Sequence, residues 1–497
     1  MANDYDIVII GGDIAGYKAA LEATKLQAKV ALVQDKLNYN FNDNYSLKEL
    51  CLSYKYCQEM INLGILKTSE NAKIENNFQK LITSKIDSNN CSFSYKQAIS
   101  YTQNITANLN QINSLTNLAT QGVDVILGDG KFQYSKQLSF LVKKRILKSR
   151  TYILASGSRP YIPDIQGLQS TGYLTPTNIW HFLETSNIPK NWVIIGGSPA
   201  SIEIAQTLAY LGCRTSLILN KNNVLSLLEP EIEKLLITVL EADGVEVLNN
   251  TNISQVRKIE DKKWVQAGNK AIETDEILVA IGQQPNIDSL NLAAAGVKWY
   301  PQRLAINKKL QTTNKQIYAC GDIIGGYNLA SFANHEAKIA VKNALFLNNL
   351  TVNYACVPWV INSQPMVVKV GLTEQQARTR YGKEEILVFK NHFQKLKSAQ
   401  IKNQITGFCK LITLKNGNIL GCSILGAAAE ELINIVALAM SENIKIEGLG
   451  KLAIVDPSFA EILEHIAQEW QQQKLHQNHS LQEFLKSFFH FRRNWNI

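Results

Sequence analysis

An α/β fold with two parallel sheets is predicted by three stretches of this 497-residue sequence. The first is Tyr5-Asp-Ile-Val-Ile-Ile-Gly-Gly-Asp-Ile-Ala-Gly-Tyr-Lys-Ala-Ala20, in which an apolar run, a glycine turn and a helical stretch follow one another. The second, Val193-Ile-Ile-Gly-Gly-Ser-Pro-Ala-Ser-Ile-Glu-Ile-Ala205, repeats that pattern later in the chain. The third is Tyr318-Ala-Cys-Gly-Asp322. A strand, glycine turn and helix place backbone N–H groups where a pyrophosphate binds, at a helix N-terminus. Two such units with a late Gly-Asp are more specific than one, and they predict two dinucleotide-binding, Rossmann-like domains.

The elements follow in order. Val30 to Gln34 reads as the second strand of the first unit. Residues 45–63 and 94–120 carry apolar positions at helical spacing. Val123 to Gly128 is a strand, and Tyr152 to Pro160 is a strand that runs into a turn leaving the first domain. In the second unit come a strand Val193–Ile195, a helix Ala200–Leu211 and a strand Thr215–Leu219. Glu276 to Gly282 returns the chain to the first domain, where Gly321 and Asp322 start a helix through Ala333–Phe346. From about residue 352 the texture turns to strand-like alternation, as in Val367–Val370 and Phe408–Ile412, with a helix Ala429–Met440. That is an α+β domain. Gln468 to Ser480 reads as a polar connector, and Leu481, Phe484, Leu485 and Phe488 then form one helical face. The expected domains are residues 1–150 and 280–350, residues 151–279, residues 351–465, and a tail over 466–497.

Composition narrows the class. Apolar residues make up 45%, enough for large cores. The net charge of +9 is spread thinly with no long basic block, so no nucleic-acid partner is expected. No apolar run is long enough to span a bilayer, and no secretory leader is read at the N-terminus. The eight cysteines are far apart in sequence and suggest neither a disulfide scaffold nor a metal site. A cytoplasmic location is expected, with a peripheral membrane contact as a variant.

The order of motifs resembles the two-dinucleotide-binding flavoproteins of the pyridine nucleotide–disulfide oxidoreductase family, among them dihydrolipoamide dehydrogenase, glutathione reductase and mercuric reductase. Besides the glycine turns, the resemblance rests on Ala155-Ser-Gly-Ser-Arg-Pro160, Ala280-Ile-Gly-Gln-Gln-Pro-Asn286, Ala319-Cys-Gly-Asp322, Val357-Pro-Trp-Val-Ile-Asn-Ser-Gln-Pro365 and Val370-Gly-Leu-Thr-Glu-Gln-Gln-Ala377. It implies FAD in the domain of residues 1–150 and 280–350, NAD(P)H in residues 151–279, and a homodimer through residues 351–465. Carried over position by position, the FAD contacts fall on Gly11, Asp13, Ala15, Gly16, Gln34, Gly130, Ser156, Gly157, Gly321, Asp322, Leu329 and Ala330. The NAD(P)H contacts fall on Gly196, Ser198, Ser201, Glu203 and Gly282.

Several of these positions depart from the family pattern. The redox Cys-x4-Cys positions fall near Asp43 and Lys48, and no cysteine lies within residues 1–50. Cys51 and Cys57 are the nearest. On one helix they would be separated by a rise of roughly 9 Å, beyond the span of about 7 Å that a disulfide tolerates. Asp456 stands where the family's proton-carrying histidine would, with Glu461 following it. An aspartate is far too weak a base for that task near neutral pH. A disulfide reductase is therefore not expected.

Asp13 replaces the fingerprint's middle glycine. A carboxylate about 4 Å from a phosphate charge costs on the order of 4 kcal/mol at an effective dielectric near 20. Gln34 replaces the acidic ribose partner, Ser198 and Ser201 replace two glycines of the second turn, and apolar Leu219 ends its second strand. These last changes weigh against NAD(P)H. A helix N-cap is the other reading of Asp322. Cys320 and His335 stand alone among apolar residues and read as core or capping groups.

Two function classes remain open. One is a FAD-dependent oxidoreductase that is not a disulfide reductase and passes electrons from NAD(P)H to a quinone-like or small acceptor. The other is a non-catalytic homodimeric scaffold of the same fold, a pseudoenzyme. Its tail, with Lys486, Arg492 and Arg493 beside Phe489, Phe491 and Trp495, would dock to a membrane, to a larger assembly, or onto its own dimer.

Overall fold

The computed structural model describes residues 3–35 and 114–495, apart from 135–136, 221–223 and 327, with short pieces between 86 and 111. Two units divide the chain, Met1–Val224 with Ile237–Val352, and Leu225–Leu236 with Asn353–Ile497.

In the first unit, β1 (Tyr5–Ile10), β2 (Val30–Gln34), β3 (Asp124–Leu127), β7 (Ser149–Leu154) and β17 (Ile317–Ala319) form a parallel sheet ordered β17-β7-β1-β2-β3. β1 lies at its centre, with Ile7 opposite Val30 on one side and Thr151 on the other. A strand covered on both faces needs apolar side chains throughout, and Ile7, Val8 and Ile9 are fully buried. The boundary expected at 150–151 falls inside β7, so the chain leaves this sheet only after Leu154.

Helix α1 (Ile14–Lys25) buries Ala15, Gly16, Ala19, Ala20 and Ala23, a face of small residues that packs on α5 (Ala330–Leu345). Between β3 and β7 stands a three-stranded antiparallel sheet of β4 (Gly130–Tyr134), β5 (Leu138–Val142) and β6 (Arg145–Leu147). Within the stretch expected to be helical over 94–120, α2 (Leu115–Thr120) is capped by Ser114, whose Oγ accepts from the Asn117 N–H. The helix expected over 45–63 lies outside the described residues.

The second parallel sheet has the order β11-β10-β9-β15, with β9 (Asn191–Ile195), β10 (Arg214–Ile218), β11 (Val245–Leu248) and β15 (Glu276–Val279). Helix α3 (Pro199–Tyr210) follows β9 as the glycine turn predicts. Helix α4 (Pro230–Ala242) leads to β11, and a meander of β12 (Ile253–Ile259), β13 (Lys262–Ala267) and β14 (Lys270–Thr274) precedes β15. β15, the last element before the expected boundary at residue 279, pairs with β9 and buries its apolar run Ile277 to Val279 there. The return comes through β8 (Ser158–Pro160) and β16 (Gln283–Pro285), which pair antiparallel.

Gly321 and Asp322 do not start α5. Asp322–Ile324 is a single 3₁₀ turn, and Gly325 and Gly326, both at positive φ, separate it from the helix. Two consecutive glycines in that region of backbone space interrupt a helix.

The second unit is built on an antiparallel sheet ordered β18-β19-β22-β21-β20, from β18 (Trp359–Ile361), β19 (Met366–Gly371), β20 (Ile386–His392), β21 (Phe408–Leu414) and β22 (Ile419–Gly426). Helix α7 (Ala429–Ser441) covers it. Cys409 and Cys422 meet across β21 and β22 with their Sγ atoms 3.6 Å apart, as free thiols. Residues 225–236, expected in the second domain, belong to this unit. There Glu229 and Glu231 pair with Lys410 of β21, which also pairs with Glu374 at the start of α6 (Glu374–Tyr381).

The connector expected over 468–480 is helical. Helix α8 (Glu461–Gln477) runs through it and buries Ile462, Leu463, Ile466, Ala467 and Trp470 along one face. Glutamine is nearly as good a helix former as lysine or glutamate, so a polar composition did not end the helix. The break is confined to Asn478, whose Oδ1 accepts from the Leu481 N–H and starts α9 (His479–Asn494). No residue of α9 is buried. Among the described residues no helix is long and apolar enough to cross a membrane.

Candidate functional site

The C-terminal ends of β1 and β7 carry two glycine turns, and α1 starts between them. Gly11 has φ +104, and a Cβ there would meet the Ala155 carbonyl oxygen at 2.1 Å. A Cβ on Gly16 would meet the Gly11 oxygen at 1.8 Å. Both contacts require glycine, the first for its backbone conformation and the second for the close seating of α1 on its own turn. A Cβ on Gly321 would lie 2.6 Å from that of Ala15, which fixes the Asp322 turn against the start of α1.

These turns enclose a cavity of about 220 Å³. Of the residues expected at a FAD site, Asp13, Ala15, Gly157, Asp322, Leu329 and Ala330 line it together. Ile14, Ala155, Ser158, Asn328 and Ala333 line it as well and were not anticipated. Ser158 was within reach, because it follows Gly157 in a motif already singled out. Nothing in the sequence marks Asn328.

Asp13 stands at the N-cap position of α1, yet its side chain makes no capping hydrogen bond. Its Oδ2 points over Gly157, 3.4 Å from where a Cβ would be. Desolvation by the surrounding protein, then the charges of Asp35 and Asp322, push its carboxyl up to about 6 from the ordinary 3.8. The residue is exposed on one side, so solvent screening reduces the energetic weight of that shift while its sign stands. Burial also raises the Asp322 carboxyl, against the opposing effect of a Ser158 hydroxyl that donates to it at 3.4 Å. The N-cap reading of Asp322 is replaced by this position in the cavity wall.

No lysine, arginine or histidine is among the described residues of the lining. Arg159, next to Ser158, is turned to Asp288 at 2.6 Å and to the Pro285 carbonyl and Asn286 side chain. The glycine turns leave backbone room of the kind a dinucleotide's diphosphate needs, and an ionised carboxylate at Asp13 opposes such an anion.

Other expected residues have different surroundings. Gln34 is buried, and its Oε1 accepts from the Gly12 N–H, so that oxygen braces the glycine turn. Ser156 donates to the Asn286 carbonyl at 2.7 Å. Gly130 begins β4, and a Cβ there would strike the Phe140 ring at 2.3 Å, a packing role outside the cavity lining.

In the second sheet, Gly196 approaches the Ala280 carbonyl as Gly11 approaches that of Ala155. The Ser198 hydroxyl accepts from the Ser201 N–H, and the Ser201 hydroxyl donates to the Ser198 carbonyl at 2.7 Å. The Ser198 hydroxyl thus caps α3, and that of Ser201 is engaged within its first turn. Glu203 is buried on α3, Leu219 is buried at the end of β10, and Gly282 leaves open space around its Cα.

In the second unit Asp456 is exposed and paired with Lys397 at 2.9 Å. Glu461 is the first residue of α8, and its Oε1 accepts from the Ser458 N–H. Cys320 is fully buried, and burial, then the Glu336 charge, push its thiol far up, which suits a core residue. His335 is half-buried on α5. Asp43, Lys48, Cys51 and Cys57 lie outside the described residues.

This arrangement is matched elsewhere. The sequence profile of pyridine nucleotide-disulphide oxidoreductases covers residues 5–337, and that of their dimerisation domain covers residues 357–467. The chain belongs to the pyridine nucleotide-disulphide oxidoreductase family. Members are FAD-binding flavoproteins that use NAD(P)H. The chain is 29% identical to a dihydrolipoyl dehydrogenase of Bacillus subtilis over 92% of its own length and 96% of the relative's. It is 28% identical to a mercuric reductase of Staphylococcus aureus over 90% and 79%. The fold matches the Cu(II) complex of the HOCl-induced flavoprotein disulfide reductase RclA from Escherichia coli, with a TM-score of 0.77 at 22% identity over 94% and 99% of the two chains. The dimerisation domain accords with the expected homodimer.

Proposed function

We propose that this protein is a FAD-dependent oxidoreductase that does not reduce disulfides and passes electrons from NAD(P)H to a quinone-like or small acceptor. The observation that carries this reading is the cavity itself. The end of β7, the start of α1 and the Asp322 turn bring Gly157, Asp322, Leu329 and Ala330 to one place. Bound FAD would supply the redox chemistry. The chain's own part is to seat the diphosphate against Gly11 and the first turn of α1 and to offer Asp322 to a hydroxyl. Leu329 and Ala330 would exclude water from the ring. Two features support a reaction without a dithiol: residues 1–50 contain no cysteine, and Asp456 is an exposed partner of Lys397 where the family's base would stand. Visible absorbance of the purified protein, before and after adding NADH or NADPH, tests the reading. Flavin bands that bleach support it, and a colourless protein that takes up no added FAD overturns it.

A second reading is the non-catalytic scaffold, favoured by one observation. Helix α9 buries nothing, and its Phe484, Phe488, Phe491 and Trp495 are all exposed, with Arg492 and Arg493 among them. Phe484 stacks on Phe488 and Phe491 packs on Trp495, which gives two exposed aromatic pairs along the helix. Such a face suits a membrane surface or a larger assembly. The engagement of Ser198 and Ser201 in the first turn of α3 supports the same reading, since hydroxyls bonded there are less available to a nicotinamide nucleotide.

A further inference from the structure

We propose that Asp13 sets the cofactor affinity of this cavity: a dinucleotide's diphosphate enters with the Asp13 carboxyl protonated and is repelled when that carboxyl is ionised. The inference rests on the reading of the cavity as a flavin dinucleotide site. Its grounds are position and surroundings. Asp13 occupies the middle place of the glycine fingerprint, where backbone and phosphate approach most closely, and its Oδ2 projects over Gly157 into the space the turns enclose.

The charged groups facing Asp13 are of its own sign. Asp35, just past β2, and Asp322, in the turn after β17, both act on its carboxyl. From β8 it is faced by Ser158, whose neighbour Arg159 is held by Asp288. The start of α5 contributes Leu329 and Ala330, which carry no charge. The cation nearest in sequence on α1, Lys18, is paired with Glu22. With no lining cation among the described residues, the cheapest way to accommodate a diphosphate is to neutralise Asp13. Protonation also turns an acceptor into an O–H donor for a phosphate oxygen. The desolvation that raises its carboxyl to about 6 places this change within an ordinary pH range.

The linkage is one proton taken up per dinucleotide bound. Above about pH 6, affinity then falls roughly tenfold per pH unit. The test is fluorescence titration of FAD into flavin-free, full-length protein between about pH 5.5 and 8.5, for the wild type, Asp13→Gly and the isosteric Asp13→Asn. Calorimetry in two buffers of different ionisation enthalpy counts protons. The expected result is a sloping wild-type profile, flat profiles for both variants, and affinity of the variants about 100-fold above the wild type at pH 8. Calorimetry should find about one proton taken up by the wild type and none by the variants. Should Asp13→Gly fail to fold, Asp13→Asn carries the comparison. A wild-type profile as flat as that of Asp13→Asn, with FAD bound, overturns the inference alone. Absence of FAD binding by all three proteins at every pH overturns the flavin reading as well.

Discussion

Replacing Lys410 with methionine removes one charge from the interior of the second unit while nearly keeping its volume. The Lys410 Nζ lies 3.0 Å from Glu229, 2.8 Å from Glu231 and 2.7 Å from Glu374. Its side chain is 6% exposed and that of Glu229 is 2%. An exposed pair would be worth at most about 1 kcal/mol, whereas stranding a buried charge costs about 3–5 kcal/mol. Two of the three carboxylates keep a cation in the variant, since Glu231 retains Lys390 at 3.2 Å and Glu374 retains Arg378 at 2.7 Å. Only Glu229 loses its ion-pair partner, and it keeps the Glu374 N–H at 2.6 Å, which places the expected loss near the lower limit, about 3 kcal/mol.

Lys410 is held charged more firmly than an ordinary lysine by its hydrogen bonds to the three carboxylates, against its own burial. It therefore stabilises the fold at every pH below its ordinary 10.5. Glu231 and Glu374 are held below their ordinary 4.5 by Lys410, against desolvation. Their contribution is present above that pH and disappears as pH falls through their lowered values. Urea unfolding of Lys410→Met at pH 7 and at pH 4 checks both points, with the deficit smaller in acid. Adding Glu229→Gln should recover part of the loss. A deficit at pH 7 below about 1 kcal/mol would refute the reasoning, because it would equal that of a surface pair.

Three further outcomes are expected. In flavin-free protein, Asp13→Asn should add on the order of 1 kcal/mol at pH 8 after allowance for screening. It should add nothing at pH 4, since a carboxyl raised from 3.8 to about 6 opposes folding only as pH rises through that interval; urea unfolding at both pH values measures it. Gly16→Ala should lower stability by about 1–3 kcal/mol and weaken FAD retention, because the new Cβ cannot sit 1.8 Å from the Gly11 oxygen without moving α1; a melting curve and bound-flavin absorbance check it. Removing residues 479–497 should leave unfolding within about 0.5 kcal/mol, since α9 buries nothing. For the docking reading it should also abolish co-sedimentation with anionic vesicles.

Both Rossmann-like units were legible because each joins a buried strand to a helix through a turn whose glycines meet a carbonyl oxygen, Gly11 at Ala155 and Gly196 at Ala280. The third sheet was legible from its alternating strands. Less legible were features set by tertiary contact. The polar stretch after Gln468 continues a helix because Ile462 to Trp470 anchor it upstream. Glu229 and Glu231 gave no sign that Lys410 would collect them into the second unit.

At the candidate site, the glycine turns and Asp322 were visible as motifs. Three side-chain directions were not: Gln34 bonded to the Gly12 N–H, Ser156 to the Asn286 carbonyl, and Arg159 turned to Asp288. Each depends on a partner distant in sequence. Asp13 was legible as an anomaly, but the desolvation that raises its carboxyl, and the neighbouring charges of Asp35 and Asp322 that add to it, come from the fold.

The most direct measurement of the central claim is the visible spectrum of the full-length protein purified without added cofactor, repeated after titration with FAD and then with NADH or NADPH under anaerobic conditions. Oxidised-flavin bands, present at once or appearing at one FAD per chain, that bleach with a nicotinamide nucleotide are the expected result. A protein that stays colourless at saturating FAD below about pH 6, where Asp13 holds its proton, would contradict it.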